Sequence, residues 1–224
     1  MKPDNIFIVP FFLLFLTFSV GAQDVNESLE HFTELKVFNG LEVEVVPSKE
    51  NRIEITGHSK NEVKFNIVDN RLEVRLKLSN LWSQDNTRIR IYGKSLEVID
   101  ANQASVVEVT GLLEGEVLTF RAQEGANIIA RVNSLKISSK VVTKGKIKLE
   151  GKTEEQTVEI NTGGHYYGKD LRTQHTEIST GTAGRGEVNA TEYVKASASL
   201  GGTVEIFGRP KEVDTKTSLG GRIF

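Results

Sequence analysis

The sequence has 224 residues, with no Cys, 4 Pro, 20 Gly and one Trp, a length that suits one domain or two small ones. Charged residues make up 26%, which argues against a disordered chain, a collagen-like repeat and a pore-type membrane protein. Lys+Arg 28 against Asp+Glu 30 leaves a formal net charge of −2, and no nucleic-acid partner is expected of so balanced a chain.

Ile6 to Val20 is an uncharged apolar run interrupted by Pro10, and it is shorter than a membrane span requires. Val20-Gly21-Ala22 then places small residues ahead of Gln23. This predicts a secretory signal peptide over residues 1–22, cut after Ala22, although Lys2 is offset by Asp4 and the n-region is only weakly positive. The expected location is therefore the periplasm, the cell surface or the medium. With no Cys after the apolar run, a lipid-anchored lipoprotein is excluded, and no disulfide staples the exported domain, residues 23–224. Five of the eleven Phe lie in the signal segment, so that domain is poor in aromatics.

From Phe32 to Tyr92 apolar residues alternate with polar ones, as in Leu41-Glu-Val43-Glu-Val45, Ile53-Glu-Ile55, Leu72-Glu-Val74-Arg-Leu76-Lys-Leu78 and Ile89-Arg-Ile91. A period of two predicts strands with one packed face and one wet face. Asn39-Gly40 and Val68-Asp69-Asn70-Arg71 lie between the runs as turn signals. No stretch holds a 3.6-residue stripe of useful length, so helix is a minor component. Residues 32–92 read as a strand-rich cap on the rest of the chain.

From Gly111 onward the texture changes, because sixteen of the twenty Gly fall there and the strands become rich in Ser, Thr and Ala. Small pairs recur at Ala104-Ser105, Gly125-Ala126, Lys144-Gly145, Gly163-Gly164, Gly181-Thr182, Gly201-Gly202 and Gly220-Gly221, in steps of 21, 19, 19, 18, 20 and 19. A fixed period near 19 with two or three short strands per unit predicts a solenoid. The expected fold is all-β, a parallel β-helix of about 19-residue coils over residues 93–224. Gly125, Gly145, Gly163, Gly164, Gly181, Gly201, Gly202, Gly220 and Gly221 then mark coil corners, where a sharp bend needs positive φ or leaves no room for a side chain.

Three segments carry a family likeness: Phe32-Thr-Glu-Leu-Lys-Val-Phe-Asn-Gly-Leu-Glu-Val-Glu-Val45, Leu96-Glu-Val-Ile-Asp-Ala-Asn-Gln-Ala-Ser105, and Gly201-Gly-Thr-Val-Glu-Ile-Phe-Gly-Arg-Pro210 with Ser218-Leu-Gly-Gly-Arg-Ile223 after it. In these the chain resembles the auto-transporter adhesin family that carries the head GIN domain, over nearly all of residues 23–224. The resemblance implies a right-handed parallel β-helix on an exported protein, and it brings no catalytic residues with it. No sorting domain or barrel is recognised after the last coil, so self-transport is not expected.

Charge is unevenly spread. Residues 131–152 hold Arg131, Lys136, Lys140, Lys144, Lys146, Lys148 and Lys152 against Glu150 alone, whereas residues 96–124 hold six acids against Arg121. Adjacent coils of opposite sign favour register, and a basic band around Lys144, Lys146 and Lys148 also suits an acidic polymer or head group. Trp82 and the Tyr166-Tyr167 pair are the aromatic candidates for stacking on a sugar ring. Being adjacent on a strand, the two tyrosines point to opposite faces, so one is expected outside and one inside.

His31, His58, His165 and His175 do not cluster at ligand spacing, and no metal or cofactor is expected. Glu154 and Glu155 would point to opposite faces of a strand, not across a sugar. Gly181-Thr-Ala-Gly184-Arg-Gly186 is glycine-rich but has no helix pattern behind it, so it reads as a coil corner and not as a phosphate loop. The residues therefore favour a non-catalytic binding or adhesion module whose partner is a glycan, an envelope polymer or a protein. A carbohydrate-active enzyme on a β-helix is the alternative, and an envelope component assembling end to end is a third. The last coil, which ends on Arg222-Ile-Phe224 without a polar cap, is where a homo-oligomer would pair.

Overall fold

A computed structural model of the chain describes residues 24–77 and 87–224; the expected signal segment and Trp82 lie outside the described residues. The strands in chain order are β1 (Val25–Ser28), β2 (Glu34–Val37), β3 (Glu42–Pro47), β4 (Arg52–Thr56), β5 (Val63–Val68), β6 (Arg71–Leu76), β7 (Arg88–Gly93), β8 (Val98–Ala101), β9 (Val106–Ala122), β10 (Asn127–Val141), β11 (Lys146–Ile160), β12 (His165–Thr180), β13 (Arg185–Ala198), β14 (Thr203–Phe207), β15 (Glu212–Thr217) and β16 (Arg222–Ile223). Among the described residues one 3-10 turn, Lys60–Glu62, interrupts them.

Each of β9 to β13 runs through a whole coil, and the coils stack in parallel: Asn127 pairs with Lys146, and Lys146 with His165. The result is a parallel β-solenoid of about 7 turns with ~19-residue coils. Two faces meet at its main corner. Face A leaves the corner (residues 106–110, 127–131, 146–150, 165–169, 185–189, 203–207 and 222–223), and face B enters it (residues 117–122, 136–141, 155–160, 175–180, 193–198 and 212–217).

The corner has one geometry throughout. Both central residues take positive φ, as in Glu124 (57°) and Gly125 (79°), and the fourth residue donates to the first, as in Ala126 N–H to Gln123 O at 3.2 Å. That is a type I′ turn. Thr143-Lys144 and Thr182-Ala183 adopt it without a glycine. Each turn is also bonded to the next coil: Ala104 N–H reaches Glu124 O at 2.9 Å, Gly125 N–H reaches Thr143 O at 3.0 Å, and Lys144 N–H reaches Thr162 O at 3.0 Å.

Two corners add to the sequence expectation of turns at these sites. Asn39-Gly40 has the same positive φ at both residues, and Gly40 N–H donates to Gln103 O at 2.8 Å. It is thus the first rung of the corner ladder and not a hairpin, since β2 pairs with β6 and β8 while β3 pairs with β7 and β9. Gly181 opens its turn, and Gly184 closes it with an N–H to Gly181 O at 3.0 Å. The repeat is shifted there because Gly184 is the equivalent of Gly145 and Gly164. Coil length varies at the bends away from the corner, where the pairing shifts between Ile129 and Arg131, between Lys148 and Gly151, between Tyr167 and Arg172, and between Thr173 and His175.

Inside, like positions stack in columns. One runs Val43, Val107, Ile128, Ile147, Tyr166, Gly186, Val204, Ile223. Tyr166 is the largest fully buried side chain, and the column accommodates it by placing Gly186 next. A Cβ on Gly168 would also come within 2.5 Å of the Tyr166 ring. Its hydroxyl donates to Gln156 Oε1 at 2.9 Å, Gln156 Nε2 donates to Thr176 Oγ1 at 2.9 Å, and the Thr176 and Thr173 hydroxyls lie 2.7 Å apart. Tyr166, Gln156, Thr173 and Thr176 enter this narrow core because each finds a partner there.

At the N-terminal end β3, β7, β4 and β1 extend face A, and β8, β2, β6 and β5 extend face B. The outermost pairings, β4 with β7, β1 with β4 and β5 with β6, are antiparallel, which ends the parallel stacking in a cap. Charges lace its outer surface. Arg90 contacts Glu44 at 2.7 Å, Arg52 pairs with Glu54 and lies 3.9 Å from the Tyr92 ring centroid, and Tyr92 O–H donates to Glu54 at 3.2 Å. The hydrogen bond from Arg52 holds the Glu54 carboxyl below the usual carboxylate range.

Candidate binding face

Face A sorts its outward residues into straight columns. The one nearest the corner reads Glu42, Val106, Asn127, Lys146, His165, Arg185, Thr203, Arg222, and the next reads Glu44, Glu108, Ile129, Lys148, Tyr167, Glu187, Glu205. Strand alternation forces this arrangement, because every second residue faces out and coils stack one strand apart.

The three expected lysines therefore come together. Lys144 projects from the corner turn, and Lys146 and Lys148 come next on the exposed side of β11. Lys148 is held by Glu150 at 2.8 Å, which raises the ammonium pKa. Lys144 and Lys146 have no carboxylate within ion-pair distance among the described residues. The rest of the basic stretch is spent differently. Lys136 meets Glu155 at 2.9 Å and Lys140 meets Glu159 at 3.7 Å on face B. The bases thus pair with the next coil, and the acidic residues 96–124 of the preceding coils are not their partners.

Of the two tyrosines, Tyr166 is 1% exposed and belongs to the core, so it offers no surface to a ligand, whereas Tyr167 is 38% exposed. Tyr167 stacks on His165, with ring centroids 6.1 Å apart and an interplanar angle of 12°. Sequence reasoning missed His165 and Arg185 as part of this surface. Their signal is a 19-residue step from Lys146 to His165 and a 20-residue step from His165 to Arg185, visible only once the coil lengths are fixed by the corners.

The same register places Glu187 opposite Glu205 and Glu44 opposite Glu108. Burial, with Glu205 next in weight, raises the Glu187 pKa. Both carboxylates of each pair stand side by side on one surface, whereas glycoside cleavage needs them to face each other across a cleft. His175 lies on face B, opposite Glu155 and Tyr193. Among the described residues no three His, Cys, Asp or Glu are placed to hold a metal ion. No described helix is long and apolar enough to cross a membrane.

Among the described residues β15 pairs with β13 alone. All six residues of β15 are exposed, Val213 at 47% among them, and so is Phe224 at 69%.

A family model described as "Putative auto-transporter adhesin, head GIN domain" matches residues 31–210. No curated protein matches the chain. Among solved structures, a "putative adhesin" from Bacteroides fragilis is similar over 90% of this chain and 95% of its own, with a TM-score of 0.81 at 18% identity. A "putative adhesin" from Parabacteroides distasonis covers the same shares at TM-score 0.70 and 17% identity. A "putative lipid binding protein" from the same species aligns over 91% of this chain and 98% of its own, at TM-score 0.66 and 12% identity. At these identities the likeness shows the fold.

Proposed function

The chain belongs to the auto-transporter adhesin family with the head GIN domain, and from that premise we propose that it is an exported, non-catalytic binding module of the cell envelope or surface. Its working surface is the face A edge of the corner, and its partner is an acidic envelope polymer or glycan. One observation carries this reading: Lys144 and Lys146 are exposed beside the corner and have no acidic partner among the described residues, while Lys136 and Lys140 of the same stretch are tied up in ion pairs. Unneutralised cations aligned on a fixed surface favour an anionic partner and make its capture salt-dependent. Export and removal of residues 1–22 belong to the same proposal.

The test is a binding screen of residues 23–224 against acidic and neutral glycans and envelope polymers at low and high salt. Acidic polymers are expected to bind, more weakly at high salt, and the triple variant K144Q/K146Q/K148Q is expected to lose at least tenfold in affinity, about 1.4 kcal/mol. Equal binding by the variant, or salt-insensitive binding, would move the site elsewhere.

A second reading comes from the open strand edge of β15. A second copy pairing with this edge would cover the exposed backbone and Val213. Sedimentation is expected to show concentration-dependent association that Thr215→Pro, which removes an edge donor, reduces. A monomer at high concentration would sink it.

A further inference from the structure

We infer that the outward column Lys146–His165–Arg185 is a track for a linear polyanion laid along the solenoid axis, and that His165 makes the track grip more tightly on acidification. This rests on the binding proposal above and names the ligand class and the regulation of that surface.

The column is set apart by its composition. From Val106 to Arg222 it contains no carboxylate, and its three central members come from successive coils. Neighbouring strands are ~4.8 Å apart, so the column offers a cationic or protonatable group at each such step. One small anion engages one or two of these groups, whereas a chain of anionic groups engages all three at once.

The ground on either side favours a chain. Toward the corner lie Gly163, Ala183 and Gly201, and a Cβ built on Gly201 would meet nothing within 4 Å. That flank is low and open. The other flank is a wall containing Tyr167 and Glu187, and a cavity of about 180 Å³ opens between His165, Tyr167, Arg185 and Glu205.

His165 is the adjustable member. Its Nδ1 is buried without a hydrogen-bond partner, and the ring lines the cavity. The groups that face the imidazole are Lys146 on the preceding coil, Arg185 on the following coil and the stacked Tyr167 ring, while Glu187 and Glu205 line the far side of the cavity. Burial first, then Arg185 and Lys146, push the imidazole pKa below its ordinary value. The ring is therefore neutral in the free protein near neutral pH. A polyanion on the column cancels the repulsion and raises that pKa, so binding takes up a proton. Affinity then increases as pH falls through the bound-state pKa and levels off below the free-state pKa. A ligand-induced rise of about one unit corresponds to a tenfold gain in affinity.

The experiment measures binding of residues 23–224 to linear polyphosphate, to orthophosphate and to phosphatidylglycerol vesicles, at about pH 5.5 and about pH 8, either side of the imidazole range. The expected result is polyphosphate binding about tenfold tighter at the lower pH, with orthophosphate far weaker at both. Arg185→Gln is expected to weaken polyphosphate at both values. His165→Gln is expected to bind polyphosphate with one affinity across the range. Wild-type binding that ignores pH, or a His165→Gln variant that keeps the pH response, would overturn the role of His165 while leaving the basic surface standing. Orthophosphate or vesicles binding as well as polyphosphate would overturn the track. No binding of any acidic probe by the wild type would overturn the proposed function together with this inference.

Discussion

Gly145→Ala is expected to destabilise the solenoid strongly, although it adds a single methyl group and alanine, as Ala126, stands at the equivalent position one coil earlier. The Cβ would lie 2.2 Å from the Ala122 carbonyl oxygen and 2.6 Å from its carbon, and that oxygen is already accepting the Val142 N–H at 3.0 Å. Backbone on both sides leaves nothing to move except the spacing of the coils, and that spacing is fixed by every other strand in the stack. The loss should exceed about 4 kcal/mol, which is a large part of the stability of an ordinary domain. Gly201→Asn makes the control. It sits at the third position of an equivalent turn, with φ of 75° and nothing within 4 Å of its Cβ, and Asn tolerates the left-handed region. Its cost should stay within about 1 kcal/mol. Thermal melts monitored by circular dichroism separate the two. Similar melting of both variants would mean that close approach at the corner does not set the coil spacing.

The second large effect is expected at Tyr166. Truncation to Ala should cost about 3–5 kcal/mol, since it empties the largest fully buried position. Tyr166→Phe is the more informative change. It keeps the ring and removes the donor to Gln156 Oε1, leaving a buried acceptor unpaired at about 1–3 kcal/mol. Gln156→Leu removes that acceptor and strands the Tyr166 hydroxyl instead. The double variant leaves the Thr173 and Thr176 hydroxyls to satisfy each other at 2.7 Å. It should therefore be less destabilised than the two single changes added together. Additive losses in urea denaturation would show that Tyr166 and Gln156 are not coupled.

Much of the fold is legible in the sequence because the corner makes a local demand. At the fourth position of the turn a Cβ would come within 2.6 Å of backbone at Gly145, Gly164 and Gly221, so glycine recurs there, whereas Ser105 and Ala126 hold the same position in earlier coils. The third position demands only positive φ, and Lys144 and Ala183 meet it as well as Gly125 does. That tolerance is why the turn at residues 181–184 misleads, because its most visible glycine, Gly181, comes first in the turn instead of third or fourth. Asn39-Gly40 is indistinguishable from a hairpin turn by itself, and only the pairing of β2 and β3 with different neighbours identifies it as a coil corner.

The candidate surface is harder to read, because membership of a column depends on adding up coil lengths. The Lys146–Lys148 alternation is local and visible. The alignment of Lys146 with His165 and Arg185 depends on an extra residue in the bend after Tyr167. Which tyrosine is buried depends on the same register, and so does the pairing of Lys136 and Lys140 with Glu155 and Glu159.

The turn ladder also gives the rod two electrically different ends. In each corner the carbonyl that accepts from the coil before and the N–H that donates to the coil after belong to the same central peptide, as with Glu124 O and Gly125 N–H. These amides point the same way from Asn39-Gly40 to Leu219-Gly220, so their individual moments of ~3.5 D add along the axis, as they do in an α-helix. The partial positive pole falls at the Gly220 end and the partial negative pole at the Asn39 end. In-plane strand peptides contribute little to this sum. Two such rods meeting end to end would attract in head-to-tail order and repel tail to tail.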